Sequence, residues 1–154
     1  MAKPHYTARD ADGNINWRVN MHPDEIRAWL KTPESKAAGM VREGETESVG
    51  RQSARKIIKI LEQGGPKSLA DWKHVEKVAG YNARHLTQKP EGDVRGTTWE
   101  HSMRNWGCAT LKPGFDPDAV VTYGPGPSAV NHSRYKSKSR IRVRRGARRY
   151  SAAG

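Results

Sequence analysis

The C-terminal end of the chain carries the residue types best suited to binding phosphate. Nine cations follow His132 with no Asp or Glu among them. They are Arg134, Lys136, Lys138, Arg140, Arg142, Arg144, Arg145, Arg148 and Arg149. The arginine side chain is a planar fork that pairs two phosphate oxygens at once and stacks on bases. These residues therefore favour a polyanion as the partner of this segment.

The spacing of these cations also matters. In the stretch SKSRIRVRR, basic residues alternate with small or aliphatic ones. An extended chain would place Arg140 and Arg142 on one side and Ile141 and Val143 on the other. Such a strand can press its aliphatic side on protein while its cations meet phosphates. The alternative is a solvated tail that only keeps the protein soluble. A membrane surface is a poorer partner, because the segment has few bulky apolar residues for insertion.

The charge of the chain is concentrated in residues 133–154, which we call the basic arm. The chain has 154 residues and a formal charge of +12. Outside the arm, 19 cations and 16 acids leave a charge of only +3. A block of like charge cannot bury apolar area, so we expect the arm to be disordered, or ordered only by a partner. Contacts to about six to nine phosphates predict a log–log salt slope of roughly −5 to −8 on duplex DNA.

Other kinds of chemistry find little support in the sequence. His101 and Cys108 are the only pair that suggests a base and a nucleophile, and nothing in the sequence near Cys108 would lower the pKa of its thiol. The six histidines show no pair at metal-ligand spacing, and no GxxxxGK[ST] phosphate loop occurs. We therefore predict no enzyme, no cofactor and no metal site.

A second cationic surface is predicted on a helix upstream of the arm. Four cations lie on the outer face of ESVGRQSARKIIKILEQGG, namely Arg51, Arg55, Lys56 and Lys59. This face could lie along a nucleic-acid backbone or groove, or it could be an ordinary solvated helix face. Further on, YNARHL places Arg84 beside Tyr81 and His85, a combination that can stack unpaired bases and would favour single strands or RNA.

These residues must be positioned by helices, because helix signals dominate the middle of the chain. Pro23 and Thr32 mark two helix starts, Ser68 with Asp71 forms a capping box, and glycines mark the stops at Gly64 and Gly107. Gly80 should either bend or split the helix that contains it. We predict a mostly α fold, a small compact domain of four to five short helices. Its five tryptophans belong mainly to the core.

The predicted organisation has four parts. Residues 1–15 form a flexible N-terminus, 16–112 the helical domain, 113–132 a Pro/Gly-rich linker or strap, and 133–154 the basic arm. The single cysteine fits a reducing compartment, and no run is apolar enough to span a membrane or serve as a signal peptide. We therefore expect an intracellular protein, in the cytoplasm or nucleoid, or in the nucleus of a eukaryote.

Four blocks of the helical domain resemble a known family. They are VNMHPDEIRAWLKTPES, ESVGRQSARKIIKIL, VAGYNARHLTQKPEGD and WEHSMRNWG, which together run from about Val19 to Gly107. This pattern is similar to that of a family of small bacterial and fungal proteins of uncharacterised function, commonly labelled DNA-binding. The resemblance implies DNA as the partner, but it supplies no catalytic or base-contacting residue. The basic arm lies outside it.

The sequence thus predicts a non-enzymatic nucleic-acid-binding protein, with DNA favoured over RNA. The helical body would position the protein and the arm would supply most phosphate contacts. Two alternatives stay open. One is a structural RNA-binding component of a ribonucleoprotein such as a ribosome, and the other is a protein-interaction module with a localising basic tail. An exposed Trp29 or Trp106 would favour the second alternative.

Overall fold

The computed structural model describes residues 4–118 and 122–128, and five helices account for its architecture. They are α1 (Pro23–Leu30), α2 (Pro33–Ala37), α3 (Val49–Glu62), α4 (Leu69–Thr87) and α5 (Thr98–Asn105). Within the described residues the only β pairing consists of isolated bridges. The prediction of a small, mostly α-helical domain is confirmed.

Local sequence signals set the helix boundaries. The side chain of Thr32 accepts a hydrogen bond from the backbone N–H of Ser35 and caps α2. Ser68 and Asp71 form the predicted capping box of α4. The backbone N–H of Lys67 is the main reason why the pKa of Asp71 is held well below its usual range, and Gln63 adds a side-chain hydrogen bond. Each cap satisfies amide groups that the first helical turn leaves without partners.

α3 lies at the centre of the domain and contacts α1, α4 and α5. Its inner face buries Ala54, Ile57 and Ile60, as the apolar spacing predicts for the first two. α4 packs Val75, Val78 and Ala79 into the same core. Three tryptophans, at positions 17, 29 and 106, are also buried in this core, whereas Trp72 and Trp99 are partly exposed. The tryptophans are therefore mainly core residues.

α4 is continuous from Leu69 to Thr87, so Gly80 does not split it. The wholly buried Asn82 ties this helix to two other segments. Its Nδ2 donates to the carbonyl of Trp17 at 2.9 Å and to that of Trp106 at 3.2 Å. α5 ends just before Gly107, which adopts a φ of 78° as the predicted stop signal requires.

The segments flanking the helices lie against them. Residues 4–15, which the sequence assigns to a flexible N-terminus, place Ala8 and Ile15 in the core and pair Arg9 with Glu76 of α4 at 2.7 Å. Ile15 also exchanges backbone hydrogen bonds with Tyr123, whose ring packs edge-on against Trp17. The segment that begins at Ile15 is thus held by isolated bridges, and residues 122–128 of the Pro/Gly-rich region lie against the body as a strap.

No helix in the part of the chain that the structure describes has the length and apolar character needed to cross a membrane. The basic arm lies outside the described residues.

Candidate nucleic-acid interface

The sequence predicts Arg51 on the exposed face of α3, and this prediction was wrong. The residue is only 8% exposed. Its Nη1 donates to the carbonyl of Leu30 at 2.7 Å and to the hydroxyl of Ser35 at 2.8 Å, while its Nε donates to Glu47 at 3.2 Å. The guanidinium thus satisfies the C-terminal end of α1 and joins it to α2 and α3. Its charge faces the protein and is not presented to a ligand.

The other three predicted cations of α3 are exposed but differ in their surroundings. Arg55 pairs with Glu47 at 2.6 Å, and Lys59 pairs with Asp71 at 3.3 Å. Lys56 forms no ion pair with any residue in 4–118 or 122–128. Only the cation of each pair is exposed, since the side chains of Glu47 and Asp71 are 29% and 8% exposed. Lys56 therefore presents its charge fully, and Arg55 and Lys59 present theirs in part.

A buried histidine lies near one cation of α3 and one of α4. His74 of α4 is hydrogen-bonded through Nε2 to the hydroxyl of Ser53 on α3 at 2.9 Å. Burial, together with the positive charges of Lys56 and Lys77, lowers the pKa of His74 from its ordinary value of 6.5 to about 4. Because Lys56 belongs to α3 and Lys77 to α4, the two cations flank the same helix–helix contact.

This histidine makes the stability of the domain depend on pH. The folded-state pKa of His74 is about 4 and its ordinary value is 6.5. At a pH between these two pKa values, His74 takes up a proton in the unfolded chain but not in the folded chain. Stability should therefore be complete above pH 6.5 and fall as the pH approaches 4, by on the order of 3 kcal/mol in total. Urea unfolding along a pH series measures this loss.

His74→Gln provides the comparison for that measurement, because it removes the titrating group and keeps a polar side chain. The difference in stability between wild type and His74→Gln should shrink as the pH is lowered from 6.5 to 4. Thr98→Ala, an exposed substitution that involves no titrating group, is the control and should leave the pH profile of stability unchanged. A constant difference between wild type and His74→Gln across the series would contradict the prediction.

α4 carries a stripe of three cations, of which only one was predicted from the sequence. Lys73, Lys77 and Arg84 are exposed at helical spacing, and none forms an ion pair within the described residues. Arg84 was predicted as a site residue, and it lies over the ring of Tyr81 at 5.8 Å. Lys73 and Lys77 were missed, although the i, i+4, i+11 spacing of the three could have revealed them. With Lys56 they form what we call the α3/α4 basic face.

The α4 stripe borders a cleft of about 770 Å³ between α4 and the beginning of α3, which we call the α4 cleft. An aromatic stack lies beside it. The ring of Tyr81 stacks on Trp106 with centroids 4.0 Å apart and an interplanar angle of 10°. On α4 itself, the rings of Tyr81 and His85 lie 4.1 Å apart. Cations and aromatic rings therefore meet at one open depression of the surface.

The residues weighed as a base and a nucleophile have other surroundings. Cys108 is fully buried, and burial raises the pKa of its thiol to about 12, so the thiolate is scarce at neutral pH. His101 lies beside the buried carboxylate of Glu100 at 3.7 Å and against the ring of Trp29. Within residues 4–118 and 122–128, no three His, Cys, Asp or Glu side chains come together in a way that could hold a metal ion.

The nine predicted site residues of the arm, from Arg134 to Arg149, lie outside the described residues. The candidate interface among the described residues therefore consists of the α3/α4 basic face and the α4 cleft.

A family model described as a protein of unknown function, DUF3140, matches residues 15–104. The chain belongs to the DUF3140 family. Neither a curated protein nor a solved structure matches it. The DUF3140 region includes all five helices except the last residue of α5, and with them every cation of the α3/α4 basic face. The predicted membership of an uncharacterised family is confirmed, and the basic arm lies beyond the family region.

Proposed function

We propose that this protein is a non-enzymatic DNA-binding protein. Its basic arm supplies most of the phosphate contacts, and its helical body adds a smaller set through the α3/α4 basic face. The uneven distribution of charge carries the proposal, because nine cations without an acid stand at one end of a chain that is otherwise near +3. Neutralising phosphates with such a segment releases counterions and gives affinity without sequence preference.

The helical body supports the proposal through the four cations of the α3/α4 basic face. None of Lys56, Lys73, Lys77 and Arg84 has a carboxylate partner among the described residues. Elsewhere on the described surface, several cations are neutralised, for example Arg27 by Asp24 and Lys112 by Glu25. A cationic surface whose one neighbouring acid, Glu76, is already paired with Arg9 is an electrostatic feature that suits a DNA backbone.

The two alternatives predict different partners. A ribonucleoprotein component would bind structured RNA in preference to DNA. The protein-interaction alternative predicts an exposed Trp29 or Trp106, but these residues are 7% and 4% exposed. Competition between duplex DNA and structured RNA for the intact chain separates the first alternative from DNA binding. A DNA-binding function also implies that the protein accompanies the nucleoid or chromatin.

Neutralising two lysines of α4 should weaken DNA binding. The double substitution Lys73→Gln/Lys77→Gln removes two phosphate contacts, so we expect the log–log salt slope to become shallower by about 2. Lys31→Gln/Lys36→Gln is the matched control, because it removes the same net charge from exposed positions beside α1 and α2. Fluorescence anisotropy with duplex DNA along a salt series measures both. Equal changes in the two double variants would show that only net charge matters and that α4 makes no specific contact.

A further inference from the structure

The two walls of the α4 cleft differ in chemistry. The wall formed by the segment before α3 and the start of α3 contributes only uncharged residues, namely Gly39, Met40, Val49 and Gly50. The α4 wall contributes Lys73, Lys77 and Arg84, together with one acid, Glu76. Because Glu76 is paired with Arg9 at 2.7 Å, its charge is already balanced. One wall is therefore apolar and the other is cationic.

Exposed apolar side chains accompany the uncharged wall. Met40 is 69% exposed and its neighbour Val41 is 47% exposed, two of the most exposed large hydrophobic residues that the structure describes. Methionine is flexible and polarisable, so it makes favourable contacts with flat aromatic groups of different shapes. This wall can accept a planar apolar surface, whereas the α4 wall can accept a phosphate.

Gly80 keeps the cleft open at the middle of the α4 wall. Glycine lowers the stability of a helix interior relative to alanine. At position 80 neither the backbone conformation nor the packing requires a glycine. The φ of Gly80 is not positive, and no atom would lie within 4 Å of an added Cβ. At Gly50, on the opposite wall, an added Cβ would lie 2.9 Å from Nε1 of Trp106, so packing explains that glycine. Gly80 lines the cleft and leaves open space beside it, so a larger side chain at this position would enter the cleft.

We propose that the α4 cleft binds one unpaired nucleotide of a DNA strand, with its base against the Met40 wall and its phosphate between the α4 cations. The volume of about 770 Å³ lies within the range of small-ligand sites. A duplex does not offer a free base face, whereas a single strand does, and base contacts of this kind are tolerant of sequence. This inference rests on the proposed DNA-binding function and adds a preference for unpaired strands.

Filling the cleft tests the inference. Gly80→Leu places a side chain in the open space, and we expect the intact chain to lose about tenfold or more of its affinity for a mixed-sequence DNA single strand. Its affinity for the blunt duplex of the same sequence should fall by less than about twofold, because the variant keeps every cation of the arm and of the α3/α4 basic face. Ala28→Leu adds the same side chain at an exposed position of α1 outside the cleft and should change neither affinity.

A second variant tests the cleft without relying on Gly80→Leu, whose new side chain could disturb folding. Met40→Gln changes a strongly exposed residue and makes the apolar wall polar without adding charge, so it should also weaken single-strand binding selectively. Unchanged single-strand affinity in both variants, or an equal loss for single strand and duplex, would overturn the cleft inference. If the two variants lose more affinity for an RNA strand of the same sequence than for the DNA strand, the choice of DNA is overturned. If wild type binds neither single strand nor duplex at low ionic strength, the proposed function itself fails.

Discussion

Asn105→Ala is expected to destabilise the domain by about 4 kcal/mol, the largest effect that we expect from a single substitution. Asn105 is wholly buried at the end of α5. Its Oδ1 accepts hydrogen bonds from Nε1 of Trp29 at 2.7 Å and from the hydroxyl of Ser35 at 2.6 Å. Its Nδ2 donates to the carbonyls of Ser35 at 3.2 Å and Ala38 at 3.5 Å. One side chain thus connects α1, α2 and α5.

Removing this amide leaves several buried polar groups without partners and adds a cavity where three helices meet. Urea unfolding measures the loss as a lower midpoint at an unchanged slope. Asn14→Ala is the control, because it deletes the same group from a turn where water can replace the hydrogen bond to Asp10. That variant should lose less than about 1 kcal/mol. Similar losses for the two variants would mean that the Asn105 connections contribute little.

Truncation after His132 is expected to cause the largest change in binding. The shortened chain lacks all nine cations of the arm but keeps every described residue. Because each phosphate contact contributes to affinity through counterion release, we expect duplex DNA affinity to fall by a factor of at least ~100 at low salt. The salt slope should fall to that of the few contacts made by the α3/α4 basic face.

The truncated chain requires a check on its fold, which circular dichroism and thermal unfolding provide. A chain of equal length in which the nine arm cations are replaced by Gln controls for the loss of the segment itself. This chain should bind duplex DNA as weakly as the truncated chain, because the charge of the arm, and not its length, provides the affinity. Equal affinities of the intact and truncated chains would exclude the arm as the main DNA-binding element.

Local signals were sufficient to predict most of the helices. Pro23, Thr32 and Ser68 act within a few residues of their own positions, so caps and stops can be read directly from the sequence. The core face of α3 was predictable for the same reason, because it depends on a period of 3.6 residues. The order of the helices along the chain is therefore largely a local property.

The parts that could not be predicted depend on residues that are distant in sequence. Arg51 has the spacing of an exposed residue, but the carbonyl of Leu30 and the hydroxyl of Ser35 draw it inward. Residues 4–15 are polar and turn-rich, yet their contacts come from α4 and from Tyr123. The α4 cleft likewise joins segments far apart in the chain. Such sites require the tertiary structure, even when single members such as Arg84 are recognisable.

The most direct test of DNA binding is a titration of the intact protein with duplex DNA at low ionic strength, repeated along a salt series. We expect saturable binding that weakens with salt at a log–log slope of roughly −5 to −8, as six to nine phosphate contacts require. A protein that binds neither DNA nor RNA under these conditions would contradict the proposal that the terminal arginines serve to contact a polyanion.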